Sequence, residues 1–210
     1  MWNNTLEHTN FNNYVQYNNN KWNYKQKKNI RMRYSAGVLP YTFDNSGTCL
    51  ILLGKDNDGD WSDFGGKCEY KDKNDEKVTA AREFFEETLG SVIGINECIE
   101  KINENENKVL SQTLNGSPYH MFLLKVDYLN YSEIFNKTSN FIKYYHSQGN
   151  TSMNSSQNIN KIIEKTSIRW VSVDTLRNCI ENNQFSKPLS LRGVFYKTIK
   201  KSINELTFNK

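Results

Sequence analysis

The stretch FGGKCEYKDKNDEKVTAAREFFEETLG, residues 64–90, constrains this chain more than any other. Its second half predicts a helix from about Glu76 to Leu89. Asp75 stands at the N-cap, where its carboxylate can accept an otherwise orphan backbone N–H. Val78, Ala81, Phe85 and Leu89 recur at helical spacing and are expected to form the buried stripe, with Gly90 ending the helix. Glu83, Glu86 and Glu87 fall at i, i+3 and i+4, so the spacing puts three carboxylates on one helix face. Close like charges repel, and more so when partly buried. A hard divalent cation relieves that repulsion, because Mg²⁺ and Mn²⁺ prefer carboxylate and water oxygens. Arg82, four residues before Glu86, can hold one carboxylate by a charge-assisted bond. Gly65 and Gly66 let the backbone approach a ligand closely. A carbonyl at Gly66 could add a metal oxygen, and Lys67 could meet a phosphate. Taken singly, an acidic helix face is more often solvated surface, and a pair of glycines is more often a turn.

The segments around this stretch predict an α/β fold. IRMRYSAGVLPYTF and CLILLGKD are joined by the turn DNSG and read as a hairpin. CLILLGKD is almost wholly apolar, as expected of a strand covered on both faces. A strand is expected at Val92 to Ile95, with strand edges and loops over 97–118. YHMFLLKVDY is a strong strand. IRWVSV is a late one, followed by a helix opening at Ser172 or Asp174 with Leu176 and Ile180 inward. An amphipathic helix from Leu189 to about Leu206 carries Leu191, Phe195, Ile199, Ile203 and Leu206. Strands interleaved with helices make an α/β/α sandwich around a mixed β-sheet.

One domain is expected over 30–210, with an insertion at 131–167 that is part helix and part irregular. Residues 1–29 form an Asn-rich arm with scattered aromatics, read as poorly ordered or packed loosely on the domain. Its aromatics and lysines also suit a substrate-contacting lid. The formal charge is +4, which is compatible with a polyanionic substrate without demanding one. The four cysteines, Cys49, Cys68, Cys98 and Cys179, have no CxxC spacing and read as free thiols. Neither an apolar leader nor a membrane-length apolar run is evident, so a soluble, intracellular and cytoplasmic protein is expected.

The combination at 64–90 resembles the Nudix box of the Nudix hydrolase superfamily, G-x5-E-x7-R-E-U-x-E-E-x-G-U, where U is bulky and apolar. Arg82-Glu83-Phe84-Phe85-Glu86-Glu87-Thr88 matches the R-E-U-x-E-E-x half residue for residue. Gly66 matches the opening glycine. The departures are Asp72 in place of the first Glu, two extra residues before Arg82, and Leu89 where the pattern has Gly, with Gly90 one place late. The extra residues are placed in the KNDE loop, and a slightly extended last helical turn is expected.

The resemblance implies a Nudix-like sandwich and a Mg²⁺- or Mn²⁺-dependent pyrophosphohydrolase. Water would attack a phosphoanhydride in a nucleoside-diphosphate-linked substrate. It implies Glu83, Glu86 and Glu87 as metal ligands, with Gly66 beside them, and Arg82 as their orienting residue. Lys67 and Arg33 are candidates for substrate phosphate. An acidic residue beyond the box is often recruited, and Glu97, Glu100, Glu104, Glu106 and Asp127 compete for that place. A small nucleotide is the expected substrate. Capped RNA, or a Nudix-fold binding protein without catalysis, are the alternatives. His120 reads as a strand-edge residue rather than a base.

Overall fold

A computed structural model of the chain describes residues 34–148, 159–181 and 189–204, together with 206, 208 and 209. The arm at 1–29, Arg33 and the middle of the 131–167 segment lie outside the described residues.

The hairpin is present: β1 (Ser35–Phe43) pairs antiparallel with β2 (Cys49–Asp56). Its turn is tied by Asp44, whose Oδ1 accepts the backbone N–H of Ser46 and of Thr48, each at 2.9 Å. β3 (Trp61–Ser62) continues along β2, and β4 (Phe64–Lys67) turns back onto β1. One edge of β1 therefore serves two partners. Residues Ser35 to Val38 pair with β4, and Tyr41 to Phe43 pair with β2. Pro40, which has no N–H to donate, falls between them. The other edge of β1 runs parallel to β6 (Pro118–Lys125), which pairs with β5 (Lys108–Gln112). β7 (Lys165–Ser172) covers the far edge of β2. Seven strands thus form one mixed sheet.

Both faces are covered, because the strands alternate and both sets of side chains are apolar. On one face Leu39, Tyr41, Ile51, Leu53, Met121 and Leu123 pack against α5 (Val173–Glu181) and α6 (Gly193–Ser202). On the other, Ala36, Val38, Leu52, Phe122 and Leu124 pack against α1 (Glu76–Glu87), α2 (Ile95–Glu104) and α3 (Tyr131–Ser147). The short α4 (Ile159–Ile162) precedes β7. The expected α/β/α sandwich is the architecture observed.

Several expectations are corrected. Residues 95–104 are the helix α2, not strand and loop, because Ile95, Cys98, Ile99 and Ile102 recur at helical spacing beneath a polar face. The buried stripe of α1 is rotated from Val78, Ala81, Phe85 and Leu89 to Ala80, Ala81, Phe84 and Thr88. Phe85 is 39% exposed. The last turn of α1 is not extended: the helix ends at Glu87, and Leu89 itself takes the left-handed conformation at φ 54°, with Gly90 following at 65°. The two extra loop residues are accommodated in the same way, Lys73 and Asn74 both being left-handed before the Asp75 cap. Asp75 accepts from the backbone N–H of Lys77 and Val78, as expected. Within 131–167, residues Tyr131–Ser147 form a 17-residue helix, and β7 begins three residues before Ile168. The final helix starts at Gly193 rather than Leu189. The chain before it instead runs along β3, with Trp61 N–H on Ser190 O and Arg192 N–H on Trp61 O.

Among the described residues, no helix is long and apolar enough to cross a membrane.

Candidate active site

The site is built where β4 crosses α1. The helix lies with Ala80 and Phe84 against the sheet, so the next residues around its circumference, Glu83 and Glu87, face the Gly65–Gly66 backbone. That approach needs glycine. A Cβ at Gly66 would collide with the Glu83 carboxylate. One at Gly65 would strike the Tyr119 hydroxyl and the β1 backbone. Gly65 also donates its N–H to Glu87 Oε2 at 2.8 Å.

Arg82 organises the other side. It is buried, and its Nε and Nη2 donate to the two oxygens of Asp72 at 2.8 and 2.9 Å. Asp72 also accepts from the Glu69 N–H and the Thr79 hydroxyl. The shorter acid at the place of the pattern's first Glu is thus a buried anchor for Arg82. The remaining Arg82 contacts reach Lys67 O at 3.0 Å, Glu83 Oε1 at 2.9 Å and Glu86 Oε2 at 2.8 Å. Burial would raise the Asp72 carboxyl, but the bonds from Arg82, the Glu69 amide and Thr79 outweigh it and hold it below the ordinary carboxylate value.

The three glutamates do not share one environment. Glu83 and Glu87 line a cavity of about 710 Å³. Glu86 is half exposed, held by Arg82 and by Lys71 Nζ at 3.2 Å, and meets Glu83 and Glu87 only on the wall of a second, smaller cavity. Among the described residues no three His, Cys, Asp or Glu side chains are gathered closely enough to hold a metal ion. Glu87 is only 5% exposed. Burial raises its carboxyl to about 8 against the pull of Lys165, and burial raises Glu83 against the pull of Arg82. Gly66 and Lys67 lie on the cavity wall.

Four residues absent from the sequence reading also belong to the site. Lys165, wholly buried, reaches Glu87 Oε1 at 3.3 Å. Asp63, buried behind Gly65, accepts a 2.5 Å hydrogen bond from the Tyr119 hydroxyl, and burial pushes its carboxyl up to about 6 despite that bond. Glu164 and Arg192 stand on the cavity wall. None of Glu97, Glu100, Glu104, Glu106 or Asp127 lines the cavity, and Glu106 is paired with Lys77 and Lys108. His120 sits within β6 beside the Tyr34 ring and does not line the cavity. The DFGG run could have suggested Asp63. Lys165 carried no signal, because its role comes from strands remote in sequence.

No family model matches the chain. An uncharacterized protein of Acanthamoeba polyphaga mimivirus is 37% identical over 79 residues, covering 35% of this chain; the matched stretch spans only 25% of that relative's length. Among solved structures, a Nudix hydrolase from M. smegmatis is similar over 83% of this chain and 85% of its own, with a TM-score of 0.42 and 12% identity. An Ap4A hydrolase from C. elegans is similar over 82% of this chain and 99% of its own, with a TM-score of 0.44 and 14% identity. The NUDIX domain of a Shewanella oneidensis protein complexed with ADP ribose is similar over 85% of this chain and 90% of its own, at 0.45 and 10%.

Proposed function

We propose that this chain is a Nudix-type hydrolase, cleaving a phosphoanhydride bond in a nucleoside-diphosphate-linked substrate by water attack with the help of Mg²⁺ or Mn²⁺. The observation that carries the reading is the placement of Glu83 and Glu87, one helical turn apart, on the wall of a cavity that Gly65 and Gly66 also line. The Arg82–Asp72 pair braces the helix behind them.

The donor set suits a hard cation. It offers the partly desolvated carboxylate oxygens of Glu83 and Glu87 on one cavity wall, and no sulfur or imidazole is needed. Burial raises both acids, and a divalent charge between them would offset that cost. Glu83 and Glu87 would hold the ion, with Glu86 recruited from its surface pairing with Arg82 and Lys71. When bound, such an ion lowers the pKa of attacking water and neutralises charge on the bridging phosphate oxygens. The chain's own residues do the rest. Arg82 keeps Glu83 in fixed orientation, the Gly65 amide holds Glu87, and Lys67 and Arg192 offer positive charge to phosphate oxygens. A small nucleotide fits the cavity volume, which lies within the usual range for small-molecule sites.

The test is turnover of a panel of ADP-ribose, dinucleoside polyphosphates, nucleoside triphosphates and capped RNA with Mg²⁺ or Mn²⁺. Glu87→Gln should lower kcat by at least about 10²-fold, near 2.7 kcal/mol of transition-state stabilisation, in a protein that stays folded. Metal-independent turnover, or full activity in the Gln variants of both Glu83 and Glu87, would refute the assignment.

A further inference from the structure

Lys165 opens β7 and has no exposed surface. Its Nζ lies 2.5 Å from Asp56 Oδ1, 2.9 Å from Ser62 Oγ and 3.3 Å from Glu87 Oε1. An ammonium has three N–H donors, and three partners surround this one. They come from β2, β3 and α1. The backbone is shaped around the side chain: a Cβ at Gly54 would come within 2.9 Å of the Lys165 Cδ and 2.8 Å of the Phe64 ring.

Such an arrangement is poorly explained by stability alone. Burying a lysine and the Glu87 carboxylate costs several kcal/mol per ion in desolvation, and apolar residues of similar volume often serve a core equally well. What the ammonium does provide is a second point of hold on Glu87. Oε2 takes the Gly65 N–H and Oε1 takes Lys165. A carboxylate offers about two acceptor sites on each oxygen, so both oxygens can be fixed while acceptor capacity remains.

We propose that Lys165 is a positioning residue for Glu87, acting as a built-in counter-cation that fixes this carboxylate for a divalent ion. Lys165 is not itself a ligand, since an ammonium has no lone pair. The inference rests on the reading of Glu87 as a metal ligand.

The experiment measures Mn²⁺ affinity on the full chain by calorimetry and by the electron paramagnetic resonance of free Mn²⁺, beside kcat and KM. The variants are Lys165→Met, Asp56→Asn and Glu87→Gln, each checked for folding by circular dichroism. Lys165→Met keeps an apolar stem and removes the charge. It should weaken Mn²⁺ binding by about tenfold or more and lower kcat, with KM for the nucleotide changed by less than about twofold. Asp56→Asn removes the ammonium's other acid partner and should weaken Mn²⁺ binding in the same direction, by roughly threefold. A folded Lys165→Met with wild-type Mn²⁺ affinity and only a lower Tm would overturn the proposal. Should that variant fail to fold, wild-type affinity in Asp56→Asn would overturn it. Loss of Mn²⁺ affinity in Glu87→Gln but not in Lys165→Met would sink the positioning role and leave the metal reading standing. Wild-type affinity in Glu87→Gln would sink both.

Discussion

Glu83, Glu86 and Glu87 are near neighbours in sequence, yet their surroundings differ. Glu87 is enclosed by Gly65 and Lys165, Glu83 faces the cavity beside Arg82, and Glu86 stands in solvent against Lys71. The residue that joins two of them is Arg82, and its own anchor is Asp72. Replacing Asp72 by Asn removes the guanidinium's buried carboxylate partner, leaving it Glu83 and Glu86, and should cost about 3 kcal/mol, read from urea unfolding. The pH dependence has a definite sign. The Asp72 carboxyl is held below its ordinary value in the folded protein. Its contribution is therefore fully present above an unfolded pKa of about 3.9 and is lost as pH falls through the lower folded value. Unfolding free energy should decline on acidification below about pH 4, and the Asp72→Asn variant should show a shallower decline over the same window. Equal slopes in the two proteins would show that Asp72 does not carry the effect.

At the scale of elements, α1 is the instructive case. Its start is legible from Asp75, and its carboxylate spacing follows from helix geometry. Its rotation is not, because Phe84 and Phe85 are equally apolar neighbours. The fold buries Phe84 completely against Phe64, at a centroid distance of 5.4 Å, and leaves Phe85 over Gly90. Phe84→Ala should cost about 3–5 kcal/mol, as for a fully enclosed aromatic. Phe85→Ala should cost roughly 1 kcal/mol, since much of that ring is already in water. Comparable losses in thermal unfolding would return the helix to the register expected from sequence. α2 gives the complementary lesson. Ile95, Cys98, Ile99 and Ile102 keep helical period through an Asn- and Glu-rich stretch, and the polar composition obscured it.

Over the whole molecule, one sheet separates two cores. Ile102 belongs to the core beneath α1, α2 and α3, and Ile199 to the core beneath α5 and α6. Residues in separate cores share no packing partner, so their effects should add. Ile102→Val and Ile199→Val should each cost about 0.5–1.5 kcal/mol, and the double variant should match their sum within about 0.5 kcal/mol. A larger deviation would mean that the sheet transmits strain between its faces. The same layering explains the site's position. β1 gives half of one edge to β4 and half to β2, which sets the Gly65–Gly66 backbone under α1.

Local rules were enough for the features that depend on nearby residues. The apolar runs marked β1, β2, β6 and β7, the DNSG turn joined the first two, Asp75 marked the helix start, and i, i+3, i+4 spacing marked the acidic face. These are set by backbone sterics and side-chain period, which act over a few residues. Only the tertiary structure decided which phenylalanine enters the core, that Glu87 is buried while Glu86 stays half exposed, and that Asp72 anchors Arg82. It alone brought Lys165 to Glu87 and Tyr119 to Asp63, contacts spanning 78 and 56 residues of chain. Their partners are chosen by strand order and by burial. A charge enclosed by the sheet must find an opposite charge or a donor wherever the topology supplies one.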